Sequence, residues 1–301
     1  MSGTLLSIGH GYSARALAAR LRAEGWRIIG TTRDPGKAGT LAGEGIEPLI
    51  WSAPSGGDPG TGAAELGAAL GEADHVLVSA GPDEEGDPVL RSVAGPLARR
   101  AAQLGWLGYL STTGVYGDHG GGWVDEDTPP GPATRRGALR VAAERQWRDM
   151  QDRHGLPLHV FRLAGIYGPG RGPFAKLRSG SARRIIKPGQ VFSRIHVDDI
   201  AQALAASMAA PAPGAIYNLC DDDPAPPQDV IAHAAELLGL PLPPEVPFET
   251  AELSPMARSF YAESKRVSNA RIKRDLGLRL LFPDYRSGLA DLLERERPAE
   301  G

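Results

Sequence analysis

Three small residues near the start of the chain have the spacing of a dinucleotide-binding turn. The spacing is Gly9-x-Gly11-x-x-Ala14, between an apolar run, Leu5 to Ile8, and a helical pattern. Gly9 can turn without a Cβ clash, Gly11 lets the backbone approach a pyrophosphate, and Ala14 lets the helix pack closely on the strand. The N–H groups at the start of that helix favour an anion. We therefore predict a nucleotide site at Gly9, His10, Gly11, Tyr12, Ser13 and Ala14; a plain glycine turn is the alternative.

The residues after the second apolar run, Arg27 to Thr31, bear on which dinucleotide binds. An NAD site usually has an acidic residue about 20 residues past the glycines, for the ribose 2′-hydroxyl. Here Thr32 and Arg33 come first, and a guanidinium suits a 2′-phosphate. We therefore predict NADP rather than NAD, contacted by Thr32 and Arg33. Two alternatives stay open: a register shift of one residue makes Asp34 an NAD ligand, or Arg33 only caps the turn.

Short apolar runs alternate with helical patterns through the first half of the chain. This alternation is typical of an α/β protein with a doubly wound parallel sheet that helices cover on both faces. Ligands of such sheets bind past the carboxyl ends of the strands. We therefore assign Ala80 and Gly81, just after the predicted strand His75 to Ser79, to the cofactor site as well.

The bulk composition excludes several classes of function. The formal net charge of −3 gives no strong attraction to nucleic acid or to an anionic membrane surface. No apolar run approaches the ~18 residues of a membrane span, and no His/Cys pairs have metal-ligand spacing. The single cysteine, Cys220, cannot form an intrachain disulfide, which fits a reducing compartment. We therefore predict a cytoplasmic protein with no metal site and with neither nucleic-acid nor membrane partners.

Three further motifs point to one family. They are YLSTTGVYGD (residues 109–118), RLAGIYGPGR (162–171) and RIHVDDIA (194–201). In this order, the three motifs resemble those of the extended short-chain dehydrogenases/reductases, the NAD-dependent epimerase/dehydratase group. Most extended members carry the longer fingerprint G-x-x-G-x-x-G. The shorter fingerprint here looks like that of the atypical, divergent branch of the family.

The resemblance implies a Rossmann-type sheet with a small C-terminal substrate lobe. On this basis we predict a dinucleotide-binding Rossmann domain at residues 1–168, to which residues 196–220 return. Residues 169–195 and 221–301 would then form the small substrate-binding lobe. In the tail of that lobe, the pattern predicts helices over Ser264 to Leu276 and Tyr285 to Arg295.

The resemblance also implies hydride transfer assisted by a Ser/Thr, a Tyr and a Lys. The Ser/Thr position falls on Thr112, whereas the Tyr-x-x-x-Lys positions fall on Arg136 and Arg140. The i, i+4 spacing keeps both side chains on one side of the helix. Arginine stays protonated and cannot act as an ordinary acid or base. Arg140 can still hold ribose hydroxyls or a phosphate, and Arg136 an anionic substrate group.

Other candidates follow from the family loops. Tyr116 and Tyr167 are the tyrosines near the expected nicotinamide; we take Tyr116 as a candidate acid, and Ile166 and Tyr167 as cofactor contacts. Arg171 and Arg194 suit an acidic or phosphorylated substrate.

The function predicted from the sequence is an NADP-dependent oxidoreductase or epimerase with a non-standard active site. Its substrate would be a small polar molecule; a sugar nucleotide or another anionic compound is a candidate. The alternative is an NADP-binding redox sensor or regulatory protein without turnover, which the missing acid/base favours. Related proteins often form homodimers through two helices, here about residues 88–103 and 134–151.

Overall fold

The computed structural model describes residues 2–296 of the chain. In chain order its strands are β1 (Thr4–Ile8), β2 (Arg27–Thr32), β3 (Glu47–Ile50), β4 (His75–Val78), β5 (Trp106–Thr112), β6 (Trp123–Val124), β7 (Leu158–Leu163), β8 (Gly165–Tyr167), β9 (Arg184–Ile186), β10 (Arg194–His196), β11 (Ile216–Leu219), β12 (Glu245–Pro247) and β13 (Arg266–Val267). Its helices are α1 (Tyr12–Ala23), α2 (Ala38–Gly43), α3 (Ala63–Glu72), α4 (Pro88–Arg100), α5 (Arg135–His154), α6 (Phe174–Arg178), α7 (Val197–Ala209), α8 (Pro227–Leu237), α9 (Pro255–Phe260), α10 (Ala270–Leu276) and α11 (Tyr285–Arg295).

Seven strands form a parallel central sheet in the order β11-β7-β5-β4-β1-β2-β3. The chain reverses its direction of travel across the sheet between β3 and β4, which lie on opposite sides of β1. In a doubly wound sheet this switch point is where the loops after the strands separate and leave a crevice. The predicted α/β fold with a Rossmann-type parallel sheet is therefore confirmed, and β1 lies at its switch point.

The core of the sheet explains why its strands read as apolar runs. Every residue of β7 is buried, and Leu6, Val76 and Leu107 on neighbouring strands are fully enclosed. A strand covered on both faces by helices needs apolar side chains on both faces. On one face, Trp147 of α5 packs against these strands.

The chain divides into two compact units. Among the described residues, unit 1 comprises 2–112, 135–162 and 200–217, and unit 2 comprises 113–134, 163–199 and 218–296. The segment 113–134, which was predicted to belong to the Rossmann domain, thus groups with the second unit. The functional division into cofactor domain and substrate lobe stays a prediction.

The predicted helix over Ser264 to Leu276 begins six residues late, at Ala270. The residues before it are held in extended form by distant parts of unit 2. The backbone N–H of Ser264 donates to Asp118 Oδ1 at 2.7 Å, and β13 pairs with β6. These long-range pairings outweigh the local helical pattern. The other predicted tail helix, from Tyr285, has the bounds of α11.

Between residues 2 and 296, none of the helices is both long and apolar enough to cross a membrane. Over the same range there is no cluster of three or more His, Cys, Asp or Glu side chains that could hold a metal ion.

Candidate functional site

The turn between β1 and α1 requires glycine at its first position. Gly9 has a φ of +82°, and a Cβ there would lie 2.6 Å from the backbone nitrogen of Ala80. The N–H of Gly9 donates to Thr31 Oγ1 at 2.7 Å, and the Ser79 hydroxyl donates to the Gly9 carbonyl oxygen. The turn is therefore fixed against the ends of β2 and β4 by the protein itself.

The second glycine of the motif is not required by anything in its surroundings. Gly11 is exposed, its φ is −103°, and a Cβ would meet only the Gly9 carbonyl oxygen, at 3.7 Å. It is the N-cap residue of α1, but it supplies no side-chain hydrogen bond there, and the first turn has no acidic residue. The open space beside the helix N-terminus is what close approach of a pyrophosphate needs.

The remaining residues of the motif set the position of the helix. Ala14 is 1% exposed and lies where α1 packs on the sheet. Ser13 is also buried, and Tyr12, the first helical residue, is half-buried. A small residue at position 14 lets the helix approach the strand. The strand-turn-helix geometry therefore agrees with the predicted role of Ala14.

The side chain of His10 points into unit 1 instead of towards a ligand. Its Nδ1 lies 2.9 Å from Ser7 Oγ, and the ring fills the space above Gly30, where a Cβ would be 2.9 Å from His10 Cγ. Burial lowers the pKa of His10 to about 4, so the ring is neutral near pH 7. Only the backbone of His10 is therefore carried into the candidate site.

Because the buried His10 ring is neutral, we expect the folded protein to be less stable at acidic pH. An unfolded histidine has a pKa of about 6.5, so between pH 6.5 and 4 the unfolded chain binds a proton that the folded His10 does not bind. As the pH falls through this range, the free energy of unfolding therefore decreases by up to about 3 kcal/mol because of His10. In the variant His10→Gln we expect the difference between the unfolding free energies at pH 7 and pH 4 to shrink by about that amount. Urea unfolding at the two pH values measures it. The exposed His154→Gln is the control, and an unchanged difference in His10→Gln would contradict the prediction.

Arg33 and Asp34, the two alternative contacts for the ribose of the dinucleotide, differ in their surroundings at the end of β2. The Asp34 carboxylate accepts from the N–H of Gly36 at 2.9 Å and caps the short 3₁₀ turn Pro35–Lys37. Thr32 Oγ1 hydrogen-bonds to the backbone of Asp34. Arg33 is exposed and makes no hydrogen bond or ion pair within residues 2–296. Arg33 is thus the charged side chain at this strand end that is not already bonded to the protein.

A cleft of about 450 Å³ lies beside the end of β4 and the start of α5. Its lining residues are Gly81, Pro82, Glu84, Arg135, Arg136, Leu139 and Arg140. Arg135 forms an ion pair with Glu84. Arg136 is exposed and has no ion pair or hydrogen bond in the described part of the chain. The two arginines at the predicted Tyr and Lys positions therefore line one cleft.

Arg140 is anchored on β5. Its Nη1 donates to the Leu110 carbonyl oxygen at 2.7 Å and to the Tyr109 hydroxyl at 3.1 Å. Tyr109 is fully buried, and burial raises the pKa of its hydroxyl, so this group is a weaker acid than an exposed tyrosine. The guanidinium of Arg140 keeps a positive charge at the lysine position, but the protein holds it in place.

Thr112 is the last residue of β5 and is half-buried. The preceding residue, Ser111, belongs to a buried network that was not predicted from the sequence. Its hydroxyl donates to Glu144 Oε1 at 2.6 Å, and Arg162 Nη2 donates to Glu144 Oε2 at 2.8 Å. Arg162, a charged residue inside the apolar strand β7, was the one signal for this pair, because Glu144 is followed by the polar residues Arg145 and Gln146. The network therefore fixes the residue that precedes Thr112 at the end of β5.

The predicted tyrosines of unit 2 have buried, hydrogen-bonded hydroxyls. Tyr116 is 1% exposed, and its hydroxyl donates to Asn218 Oδ1 at 2.8 Å. The hydroxyl of Tyr167 donates to the Asp284 carbonyl oxygen at 3.4 Å, and burial raises its pKa. Both tyrosines therefore have structural contacts, and their predicted roles in catalysis and cofactor binding have no support from this placement. Ile166 pairs in register with Ile195 between β8 and β10.

The two predicted substrate arginines differ in their surroundings. Arg171 is exposed. Arg194 donates to the carbonyl oxygens of Phe192 and Ala225, at 2.9 and 3.0 Å. Asp221, in the same unit, was not among the predicted site residues. It is 1% exposed, neither of its carboxyl oxygens has a hydrogen-bond partner among the described residues, and burial raises its pKa to about 8.

A glycine turn at the switch point of a parallel sheet defines a Rossmann-type protein, and comparisons with known proteins identify its family. The model of the NAD dependent epimerase/dehydratase family matches residues 96–220. The Escherichia coli (strain K12) protein YeeZ is 30% identical over 293 residues, covering 92% of this chain and 95% of YeeZ. This chain belongs to the NAD-dependent epimerase/dehydratase family, as the motifs predicted.

Two solved structures are also similar. A functionally unknown conserved protein from Silicibacter pomeroyi DSS is 60% identical, with a TM-score of 0.88 over 97% of this chain and 99% of that one. Human epimerase family protein SDR39U1, solved with NADPH, is 20% identical, with a TM-score of 0.74 over 97% and 99% of the two chains. The second likeness shows the shared fold.

Proposed function

We propose that the protein is an NADP-dependent oxidoreductase or epimerase that acts on a small polar substrate. The observation that carries this proposal is the pair of glycines at the switch point. Gly9 is required by the fold, whereas Gly11 leaves an open space beside an uncapped helix N-terminus. An exposed Arg33 at the end of β2 adds a cation where a 2′-phosphate would lie. These residues fit a nicotinamide dinucleotide, and the NADPH in the human relative's structure supports the same choice.

When bound, the dinucleotide supplies hydride transfer. The chain supplies binding and orientation. The first turn of α1 binds the pyrophosphate, Arg33 binds the 2′-phosphate, and Arg140 keeps a positive charge beside the end of β5. The Thr112 hydroxyl hydrogen-bonds the reacting oxygen of the substrate.

The replacement Arg33→Ala tests the cofactor. Charged hydrogen bonds contribute about 1.5–3 kcal/mol, so we expect NADPH binding to weaken by about 10- to 100-fold. NADH, which lacks the 2′-phosphate, should bind the variant and the native protein equally. Fluorescence titration of both dinucleotides measures this, with the exposed Arg20→Ala on α1 as the control. Equal NADPH affinities of Arg33→Ala and the native protein would overturn the assignment, and binding of neither dinucleotide would overturn the proposed function.

A second candidate, an NADP-binding redox sensor without turnover, is favoured by one observation. Arginines stand at both positions where the family has its acid/base pair, and Tyr109 and Tyr116 are buried. A panel of carbonyl compounds and sugar nucleotides, with NADPH absorbance followed over time, separates the two candidates. Tight NADPH binding with no oxidation by any compound favours the sensor. Turnover that Thr112→Ala abolishes favours the enzyme.

A further inference from the structure

We propose that the cleft at the start of α5 binds an oxyanion of the substrate, a carboxylate or a phosphate, through Arg136. This inference rests on the proposed function, because it names the class of substrate that the NADP-dependent site accepts. The cleft volume of about 450 Å³ is within the range of small-molecule sites.

The charges around the cleft favour a bound anion. Three arginines, at positions 135, 136 and 140, line it together with one carboxylate, that of Glu84, which is paired with Arg135. The lining therefore carries an excess of two positive charges, and the guanidinium of Arg136 has no partner within residues 2–296. A planar guanidinium binds carboxylate and phosphate oxygens through two parallel hydrogen bonds.

The position of these charges on the helix also favours a bound anion. Arg135 and Arg136 begin α5, a helix of 20 residues whose first turn has no acidic residue. Cations at a helix N-terminus are unfavourable because the aligned peptide dipoles make that end positive, and like charges at i, i+4 repel each other. A bound anion would offset both effects. Local departures of this kind are expected at functional sites.

Arg140 also faces the cleft. Its Nη1 is bonded to β5, but a Cβ on Gly81 would lie only 3.4 Å from its Nη2, so that nitrogen lies over Gly81 on the cleft side. The anchored Arg140 thus provides a fixed positive charge, and the unpaired Arg136 provides the adjustable contact. An oxyanion held by Arg136 lies one helical turn from Arg140.

The test uses the full-length protein saturated with NADPH and two probes, inorganic phosphate and succinate. Isothermal titration calorimetry at low ionic strength measures their binding to the native protein, to Arg136→Gln and to Arg145→Gln. Arg145 is an exposed, unpaired arginine further along the same helix and outside the cleft lining, so its replacement removes the same charge away from the proposed site. We expect at least one probe to bind, Arg136→Gln to weaken it about tenfold or more, and Arg145→Gln to leave it unchanged.

The results separate the possible sources of the anion. Preference for phosphate or for succinate assigns a phosphorylated or a carboxylic substrate, and either supports the proposal. Equal probe binding by the native protein and Arg136→Gln overturns it. So does weaker NADPH binding by Arg136→Gln, because the cleft would then hold a cofactor phosphate. Failure of NADPH itself to bind is a separate result that contradicts the proposed function.

Arg136→Gln should also have a slightly raised Tm without any anion, because it removes a cation from the helix N-terminus.

Discussion

Replacing Glu144 with alanine is expected to lower the free energy of unfolding by about 3–5 kcal/mol. Glu144 and Arg162 are 2% and 1% exposed, and their ion pair spans 2.8 Å. Removing the carboxylate leaves a buried guanidinium without its compensating charge, and the buried Ser111 hydroxyl loses its acceptor at the same time. Urea unfolding followed by far-ultraviolet circular dichroism measures the change.

Two further variants identify the cause of that loss. Arg148 lies 3.7 Å from the same carboxylate, but its side chain is 43% exposed, so Arg148→Ala should change the unfolding free energy by less than about 1 kcal/mol. The double variant Glu144→Leu with Arg162→Met replaces the pair by apolar side chains, and it should be more stable than Glu144→Ala. If Glu144→Ala loses no more than Arg148→Ala, the buried network does not hold the end of β5.

The sequence predicts the central sheet well because its signals are local. Each strand is a short apolar run, and β7, buried along its whole length, matches the predicted Leu158 to Leu163. The glycine turn is equally local, since the φ of Gly9 and the small Ala14 are properties of one strand-turn-helix segment. The conformation of such segments is therefore determined largely by their own residues.

Features that depend on distant partners were not predicted. The segment before Ala270 has a helical pattern, yet β13 pairs with β6 across more than a hundred residues, and no local rule contains that information. In the same way, the position of Arg140 indicates a ligand contact by resemblance, whereas its bond to the Leu110 carbonyl follows only from how α5 packs on β5. The sequence singled out Arg136 and Arg140, and the structure adds that Arg135 lines the same cleft and that Arg140 is bonded to β5.

One member of the buried ion pair leaves a signal in the sequence. Arg162 interrupts the apolar strand β7, and Glu144 follows Val141, Ala142 and Ala143 on α5. A charged residue inside an apolar run is either buried with a partner or at a functional site. Arg162 therefore indicates a buried partner from its sequence position, whereas the identity of that partner, Glu144, follows only from how α5 packs on the sheet.

Replacing Gly11 with alanine is expected to weaken dinucleotide binding strongly while the protein stays folded. The methyl group meets no protein atom closer than 3.7 Å, and the φ of −103° is open to alanine, so the unfolding free energy should fall by only about 1 kcal/mol, the usual loss when alanine replaces glycine as an N-cap. The same methyl group occupies the space in which a pyrophosphate approaches the backbone. NADPH affinity, measured by fluorescence titration, should weaken by about 100-fold or more.

The matched control is alanine at the other glycine. In Gly9→Ala the methyl group would lie 2.6 Å from the Ala80 nitrogen at a φ of +82°, so the loss should be structural, with a lower Tm and an unfolding free energy reduced by more than about 1–3 kcal/mol. The two variants thus separate a glycine that the fold requires from one that only a ligand requires. Native NADPH affinity in Gly11→Ala would show that no phosphate approaches this turn. Because the space beside Gly11 carries the proposed function, that single result would remove its main support.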